Sequence, residues 1–170
     1  ACQRFGFNES QLPWFRTLHS FALRLSGIRA EQIMQPEHYR ELSNAIGISI
    51  TVDKVNEDEN ILDKTNNSDP YLNIINLARL RKVSLKEQYN KSDSTVDWVT
   101  LSYVARSLQS YKNRLRLYDF TDMLELFVNE SSRFCPNLSV SFIDEAQDLS
   151  PLQWDVAHVI EKYSEKIYCA

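Results

Sequence analysis

The strongest constraint on the fold lies near the end of the chain. Leu138-Ser139-Val140-Ser141-Phe142-Ile143 is an apolar, β-prone run that stops abruptly at Asp144-Glu145. Shortly after it, Ser150, Pro151 and Gln153 supply an N-cap, a first-turn proline and a capping-box partner for a helix carrying Leu152, Val156, Val159, Ile160 and Tyr163. Lys166-Ile167-Tyr168-Cys169 then opens a second strand. Strand, helix and strand in this order make a βαβ unit, which predicts a parallel sheet and an α/β fold. In such sheets ligands bind outside the carboxyl ends of the strands, where Asp144 and Glu145 stand.

Upstream, the pattern is mainly helical. Trp14 to Thr17 form a short β-prone run that passes into a helix over His19 to Leu25, giving a strand-to-helix junction with polar residues at the joint. From Asp53 to Asp69 the chain is acidic and polar and reads as an exposed loop. Asp69-Pro70 is an N-cap and first-turn pair for a helix with Tyr71, Ile74, Ile75 and Ala78 on one face. A further helix is predicted to start at Ser94, with Asp97 at the capping-box spacing, and to carry Leu101, Val104, Leu108, Tyr111, Leu115 and Tyr118 as its packing seam. Asp119 opens another, with Phe120, Met123, Leu124 and Phe127 on its apolar face.

Composition narrows the function. With 170 residues, 43% of them hydrophobic, the chain has enough apolar material for one real core or two small ones. It contains only three glycines, Gly6, Gly27 and Gly47, where average usage of about 7% would give roughly twelve. Neither a G-x-x-x-x-G-K-[ST] phosphate loop nor a G-x-G-x-x-G dinucleotide fingerprint occurs, so nucleotide chemistry here must be incomplete or borrowed. Nineteen basic against 23 acidic residues give a net charge of −4, which does not announce a nucleic-acid binder. Cys2, Cys135 and Cys169 are too scattered for a disulfide framework or a C-x-x-C knuckle, which points to a reducing, cytoplasmic setting. No apolar stretch reaches membrane-spanning length, and no signal-peptide pattern opens the sequence.

The chemistry concentrates in Ile143-Asp144-Glu145-Ala146-Gln147-Asp148. A buried strand would fix two adjacent carboxylates at its end. Asp144 suits a Mg²⁺ site, because Mg²⁺ takes hard oxygen ligands, keeps waters and is completed by nucleotide phosphates. Glu145, directed to the other side of the strand end, suits orientation and deprotonation of a water attacking a γ-phosphate. Gln147 both donates and accepts hydrogen bonds, as a sensor of that phosphate must. An acidic pair alone reads first as turn and N-cap residues on a solvated edge. The whole string, D-E-A-Q-D after an apolar strand and before Ser150-Pro151-Leu152-Gln153, is more specific and favours the ligand site.

At the start of the first helix, Thr17, His19 and Ser20 place a hydroxyl, an imidazole and free backbone N–H groups where a nucleic-acid phosphate could be held without reading sequence. On sequence chemistry alone the plainer alternative stands first: Thr17 and Ser20 cap the helix while His19 hydrogen-bonds in the interior. Trp14 and Phe15 offer rings for stacking on bases, although aromatics beside a short strand more often enter the core. Two basic stretches, Arg79, Arg81, Lys82, Lys86 and Lys91, then Arg106, Lys112, Arg114 and Arg116, suggest a phosphate-binding surface or an ordinary solvated face. His38 and His158 lack partners at metal spacing and read as structural.

Three blocks together resemble the UvrD/Rep type of superfamily 1 DNA helicases. Phe142 to Gln153 resembles the family's motif II, Arg16-Thr17-Leu18-His19-Ser20-Phe21-Ala22 its T-x-H-S block, and Tyr118-Asp119-Phe120-Thr121-Asp122-Met123-Leu124 the D-F-x-D-[LM] segment leading into motif II. About 30 residues carry the specific matches. The resemblance implies a partial RecA-like P-loop NTPase sheet, α/β in class, with a large, mainly helical inserted subdomain. Residues 1–29 and 119–170 would be the two parts of the RecA-like domain and residues 30–118 the insertion, with residues 1 to 12 similar to the helix after the family's first DNA-contacting strand. It further implies ATP and Mg²⁺ as cofactors, with Asp144 on the metal, Glu145 and Gln147 in catalysis, Gln147 also on the nucleotide, and Thr17, His19 and Ser20 on single-stranded DNA or a single-strand/duplex junction. The phosphate loop, the arginine-bearing motifs and the second RecA-like domain of the family are absent from these residues. The sequence therefore reads as an internal piece of a longer helicase, inactive as an ATPase by itself, whose further partners are the remaining parts of that chain. The alternatives are a non-enzymatic remnant that binds DNA or protein and a metal-dependent nuclease using Asp144, Glu145 and Asp148.

Overall fold

The computed structural model describes residues 14–51, 69–93 and 95–170. The expected helix in residues 1 to 12, the acidic loop up to Ser68, the cap at Ser94, and Cys2 and Gly6 all lie outside the described residues. Among the described residues seven α-helices and two strands follow one another: α1 (Leu18–Ser26), α2 (Pro36–Ile46), α3 (Pro70–Leu80), α4 (Leu85–Lys91), α5 (Trp98–Leu115), α6 (Phe120–Phe134), β1 (Leu138–Ile143), α7 (Pro151–Lys162) and β2 (Ser164–Cys169). The architecture is mostly helical with a small parallel two-stranded sheet, consistent with part of a RecA-like domain.

Sequence signals at the helix ends act as their chemistry dictates. Thr17, Asp69, Ser84, Asp97 and Ser150 each accept a hydrogen bond from a first-turn backbone N–H, satisfying donors that the helix itself leaves unpaired. Pro36, Pro70 and Pro151 sit at first-turn positions, where a missing N–H costs nothing. Gly27 and Gly47 end α1 and α2 with φ of 69° and 68°, a left-handed conformation that glycine enters without strain.

Two apolar clusters organise the chain. The first joins Phe21 and Ala22 of α1, Leu124 and Phe127 of α6, Ile143 of β1, and Leu152, Val156, Ala157, Val159 and Ile160 of α7. The second joins Leu42 of α2, Leu72, Ile74 and Ile75 of α3, Leu101, Val104, Leu108 and Tyr111 of α5, with Met34, Ile50 and Leu117. Helix α3 serves both, since its Leu80 packs into the first. A parallel bridge between Ile33 and Tyr118 closes the base of the helical part, with Tyr118 N–H donating to Gln32 O at 2.7 Å and Met34 N–H to Tyr118 O at 2.9 Å.

Four expectations need correction. Residues 14–17 form a turn and bend, because a strand requires a ladder partner and none is present there among the described residues. Helix α5 begins at Trp98 with Asp97 as its cap. At its other end Arg116 turns left-handed (φ 56°) and Leu117 N–H donates back to Lys112 O at 2.9 Å, so the chain reverses. Leu117 thereby enters the core, Leu115 stays exposed and Tyr118 lies beyond the helix. The strand β1 is buried on one face only: α7 packs on the sheet, while Val140, Phe142 (77% exposed) and Tyr168 face outward, the last two rings stacked at 5.1 Å. Finally, the basic stretches do not form one surface, because Lys112 and Arg79 are drawn inward to pair with buried acids of α6.

Within the described residues, no helix is long and apolar enough to cross a membrane. Cys135 and Cys169 are free thiols, and burial pushes that of Cys135 up to about 11.

Candidate functional site

Strand β1 pairs with β2 in parallel, Ile143 opposite Cys169, so both strands point their carboxyl ends at the same side. Asp144 and Glu145 make the turn that leaves β1. The Glu145 N–H donates to Asp144 Oδ1 at 3.1 Å, which orients the first carboxylate, and Glu145 takes φ 52° and ψ 41°. A left-handed glutamate is uncommon and holds only where its surroundings enforce it. Here they do so by stitching: Ala170 N–H donates to Ile143 O (3.0 Å), Ala146 N–H to Ala170 O (2.8 Å) and Asp148 N–H to Glu145 O (3.0 Å). Ala146 is buried as a small wedge beneath this turn, while Asp144, Glu145, Gln147 and Asp148 are exposed.

The other side of the turn is clamped as well. Ser150 N–H donates to Gln153 Oε1 (2.8 Å), and Gln153 N–H donates to Ser150 Oγ (3.4 Å), completing the capping box of α7. The strand end therefore presents its carboxylates from a backbone fixed on both flanks. Asp144, exposed and with one oxygen already oriented, fits a hard divalent cation that keeps its waters. The nearby N–H groups of Ala146 and Asp148 are committed to carbonyls of the chain itself, so these two are not offered to a phosphate. Among the described residues no three His, Cys, Asp or Glu gather into a metal-binding group, so Asp144, Glu145 and Asp148 do not converge.

The second candidate lies at the start of α1. Thr17 is the N-cap, its Oγ1 accepting from Ser20 N–H at 3.3 Å. Ser20 Oγ in turn accepts from Arg16 Nη1 at 3.4 Å. His19 points inward, 4% exposed, its ring meeting Phe120 edge-on at 6.4 Å. The structure thus brings Thr17, Ser20 and Arg16 together at the surface and seats His19 beneath them. Trp14 packs edge-on against Phe21 at 5.6 Å with the Arg24 guanidinium over its ring, and Phe15 is exposed.

Sequence reasoning missed Arg16 as a member of this cluster, although its spacing of four from Ser20 was a visible signal. It also missed the Ala170 carbonyl as a clamp of the acidic turn, for which no local signal exists because it arises from strand pairing. His38 caps α2, its Nδ1 accepting from Gln35 N–H at 2.9 Å, and His158 lies 3.2 Å from Glu161 on the exposed side of α7.

A family model described as UvrD/REP helicase N-terminal domain matches residues 2–170. Comparisons with curated proteins and with solved structures found no match. The family match runs through the T-x-H-S helix start, the helical region and the D-E-A-Q-D strand end alike, in the order in which they occur here. On that coverage, the chain belongs to the UvrD/REP helicase N-terminal domain family, a family of superfamily 1 helicases.

Proposed function

We propose that these residues form part of an ATP-dependent DNA helicase or translocase that couples Mg-ATP hydrolysis to movement on single-stranded DNA. The observation that carries this reading is the rigid turn at the carboxyl end of β1, which presents Asp144 and Glu145 side by side from a backbone clamped by Ala170 and Ser150. Residues 1–29 and 119–170 would form the RecA-like part and residues 30–118 its insertion.

ATP supplies, when bound, a γ-phosphoanhydride whose cleavage drives the conformational cycle. In this reading Asp144 contributes the hard oxygen donor to the metal. Glu145 orients a water and takes its proton, and Gln147 accepts or donates a hydrogen bond according to whether the terminal phosphate is present. Thr17 and Ser20 hold the DNA backbone through hydroxyls and N–H groups at the start of α1, and His19 supports them from below. The setting would be the cytoplasm.

The expected signature is a separation of binding from turnover. In a helicase chain containing these residues, Glu145→Gln keeps ATP affinity and lowers hydrolysis by roughly 10²-fold or more, the scale of general-base removal. Unchanged ATP turnover in that variant removes Glu145 from the catalytic role. The 170-residue chain by itself is expected to show no DNA-stimulated ATPase activity, since its sequence holds no glycine-rich phosphate loop and the N–H groups of Ala146 and Asp148 are already paired.

A further inference from the structure

A largely buried group of ions sits at the start of α6. Lys112 of α5 is 2% exposed, and lysine is almost never so buried unless paired. Its ammonium donates to Asp119 Oδ2 at 2.5 Å and Asp122 Oδ2 at 2.7 Å. Arg79 of α3 completes the group. Its Nη1 reaches both oxygens of Asp119 (3.0 and 2.9 Å), its Nη2 reaches Asp122 Oδ1 (2.5 Å) and Glu125 Oε2 (2.8 Å), and its Nε reaches Glu125 Oε1 (3.1 Å). The two aspartates also cap the first turn of α6 reciprocally, Asp122 N–H to Asp119 Oδ1 and Asp119 N–H to Asp122 Oδ2, both at 2.8 Å.

Burial of such ions contributes little net stability over a well-packed apolar substitute. What it does impose is geometry, because a forked guanidinium and a buried ammonium accept few arrangements of their acids. Phe120 and Thr121 lie between the two aspartates in this first turn, and Phe120 is the ring against which His19 packs edge-on at 6.4 Å. Cations from the helical cluster thus reach, through one turn of α6, the histidine beneath the T-x-H-S helix start.

We propose that Arg79 and Lys112 are positioning residues for the Thr17 to Ser20 helix start: by fixing the first turn of α6 they hold Phe120 against His19, so the helical part sets the geometry of a DNA contact in the α/β part. The DNA half of this statement rests on the function proposed above, and the positioning half does not.

The test uses the 170-residue chain and two readouts. Its three histidines give three imidazole signals by NMR, with His38 and His158 as internal references. Arg79→Lys keeps the charge and removes the fork, and Asp122→Asn keeps the shape and removes a charge; each is expected to move the His19 signal and leave the other two in place. Val104→Ala, in the helical core and away from the ion group, is the control that lowers stability without moving His19. In parallel, binding of a labelled oligothymidylate should weaken by roughly threefold to tenfold in the two ion-group variants, the size of coupling between residues sharing a network. A His19 signal unchanged in both variants while they remain folded overturns the positioning role. A wild-type chain that fails to bind the oligonucleotide, with the His19 shifts as expected, overturns the DNA contact and leaves the positioning intact. A Val104→Ala shift equal to theirs reduces the ion group to a general stabiliser and overturns the proposal.

Discussion

The two apolar clusters are built differently and carry different loads. The first mixes strand and helix, is bounded by turns and caps, and holds candidate ligand-contacting residues at its margins: Thr17, His19 and Ser20 at the start of α1, Asp144, Glu145 and Gln147 between β1 and α7. The second is helix on helix, α2, α3 and α5 packed through Leu42, Leu72, Leu101, Val104 and Leu108. Strand ends leave backbone and side chains poised in fixed directions, whereas the sides of packed helices mostly cover one another. The difference teaches where chemistry can be placed in such a chain, and where geometry must be supplied from.

The sharpest way to break this comparison is to ask whether the clusters are separable. Phe127, fully buried and edge-on to Phe21, anchors the first, and Phe127→Ala should cost about 3–5 kcal/mol. Because α3 enters both clusters and the ions join them, the loss should lower the stability of both at once. Tryptophan reports each side separately, Trp154 packing on the first cluster and Trp98 on the second. Single-tryptophan chains followed by fluorescence in urea should therefore give coincident transitions. Two midpoints would mean two independent units.

A smaller effect sharpens it. Ser150→Ala removes the cap of α7 and Asp97→Ala that of α5, and each should cost about 1 kcal/mol in denaturant melts. Only the first should also speed amide exchange at Ala146 and Asp148, because only it adjoins the acidic turn. Equal exchange in both variants would show that the turn does not depend on its flanking cap.

The smallest effect concerns the boundary itself. Three carboxylates, Asp119, Asp122 and Glu125, face two cations, Arg79 and Lys112, with the half-buried Tyr39 beside them. Burial alone would raise Asp119, yet Arg79 and Lys112 hold it below the usual carboxylate range; burial and the charge of Asp119 raise Asp122 above it. An acid whose folded value is raised stabilises the fold below its unfolded value and loses that contribution as pH rises through the folded one. Asp122→Asn lacks the titration, so its deficit relative to wild type should shrink as pH rises above the ordinary carboxylate range, read from thermal melts across pH. A constant deficit would show that Asp122 is not the group that takes the proton.

Much of the first cluster was legible in local sequence. The bounds of β1, the capping box of Ser150 and Gln153, and the N-cap of Thr17 follow from residues a few positions apart, which is the range over which caps and alternation act. The errors came where a distant partner decides. The Trp14 to Thr17 run is β-prone, but no strand lies beside it among the described residues. The seam of α5 was read correctly as far as Tyr111 and wrongly beyond it, since the left-handed Arg116 exchanges Leu115 for Leu117. Lys112 and Arg79 read as surface charge because the acids that bury them lie seven and forty residues further along the chain, past the ends of α5 and α3. Of the candidate residues, Asp144, Glu145 and Gln147 stand exposed at the strand end, whereas His19 is turned inward.

The bridge between Ile33 and Tyr118 has a consequence for the order of folding. Its two strands of backbone are separated by the whole of α2 to α5, so forming it early would restrict a long flexible loop before any contact repaid that loss. The β1-α7-β2 unit closes over a much shorter span. On a chain emerging from synthesis, the helical part has all its own residues first, yet its base is sealed only when Tyr118 has followed, immediately before the acids of α6 arrive to meet Lys112. Tyr118 and Asp119 are neighbours in the chain, so closing the bridge also brings the first acid of the ion group to Lys112.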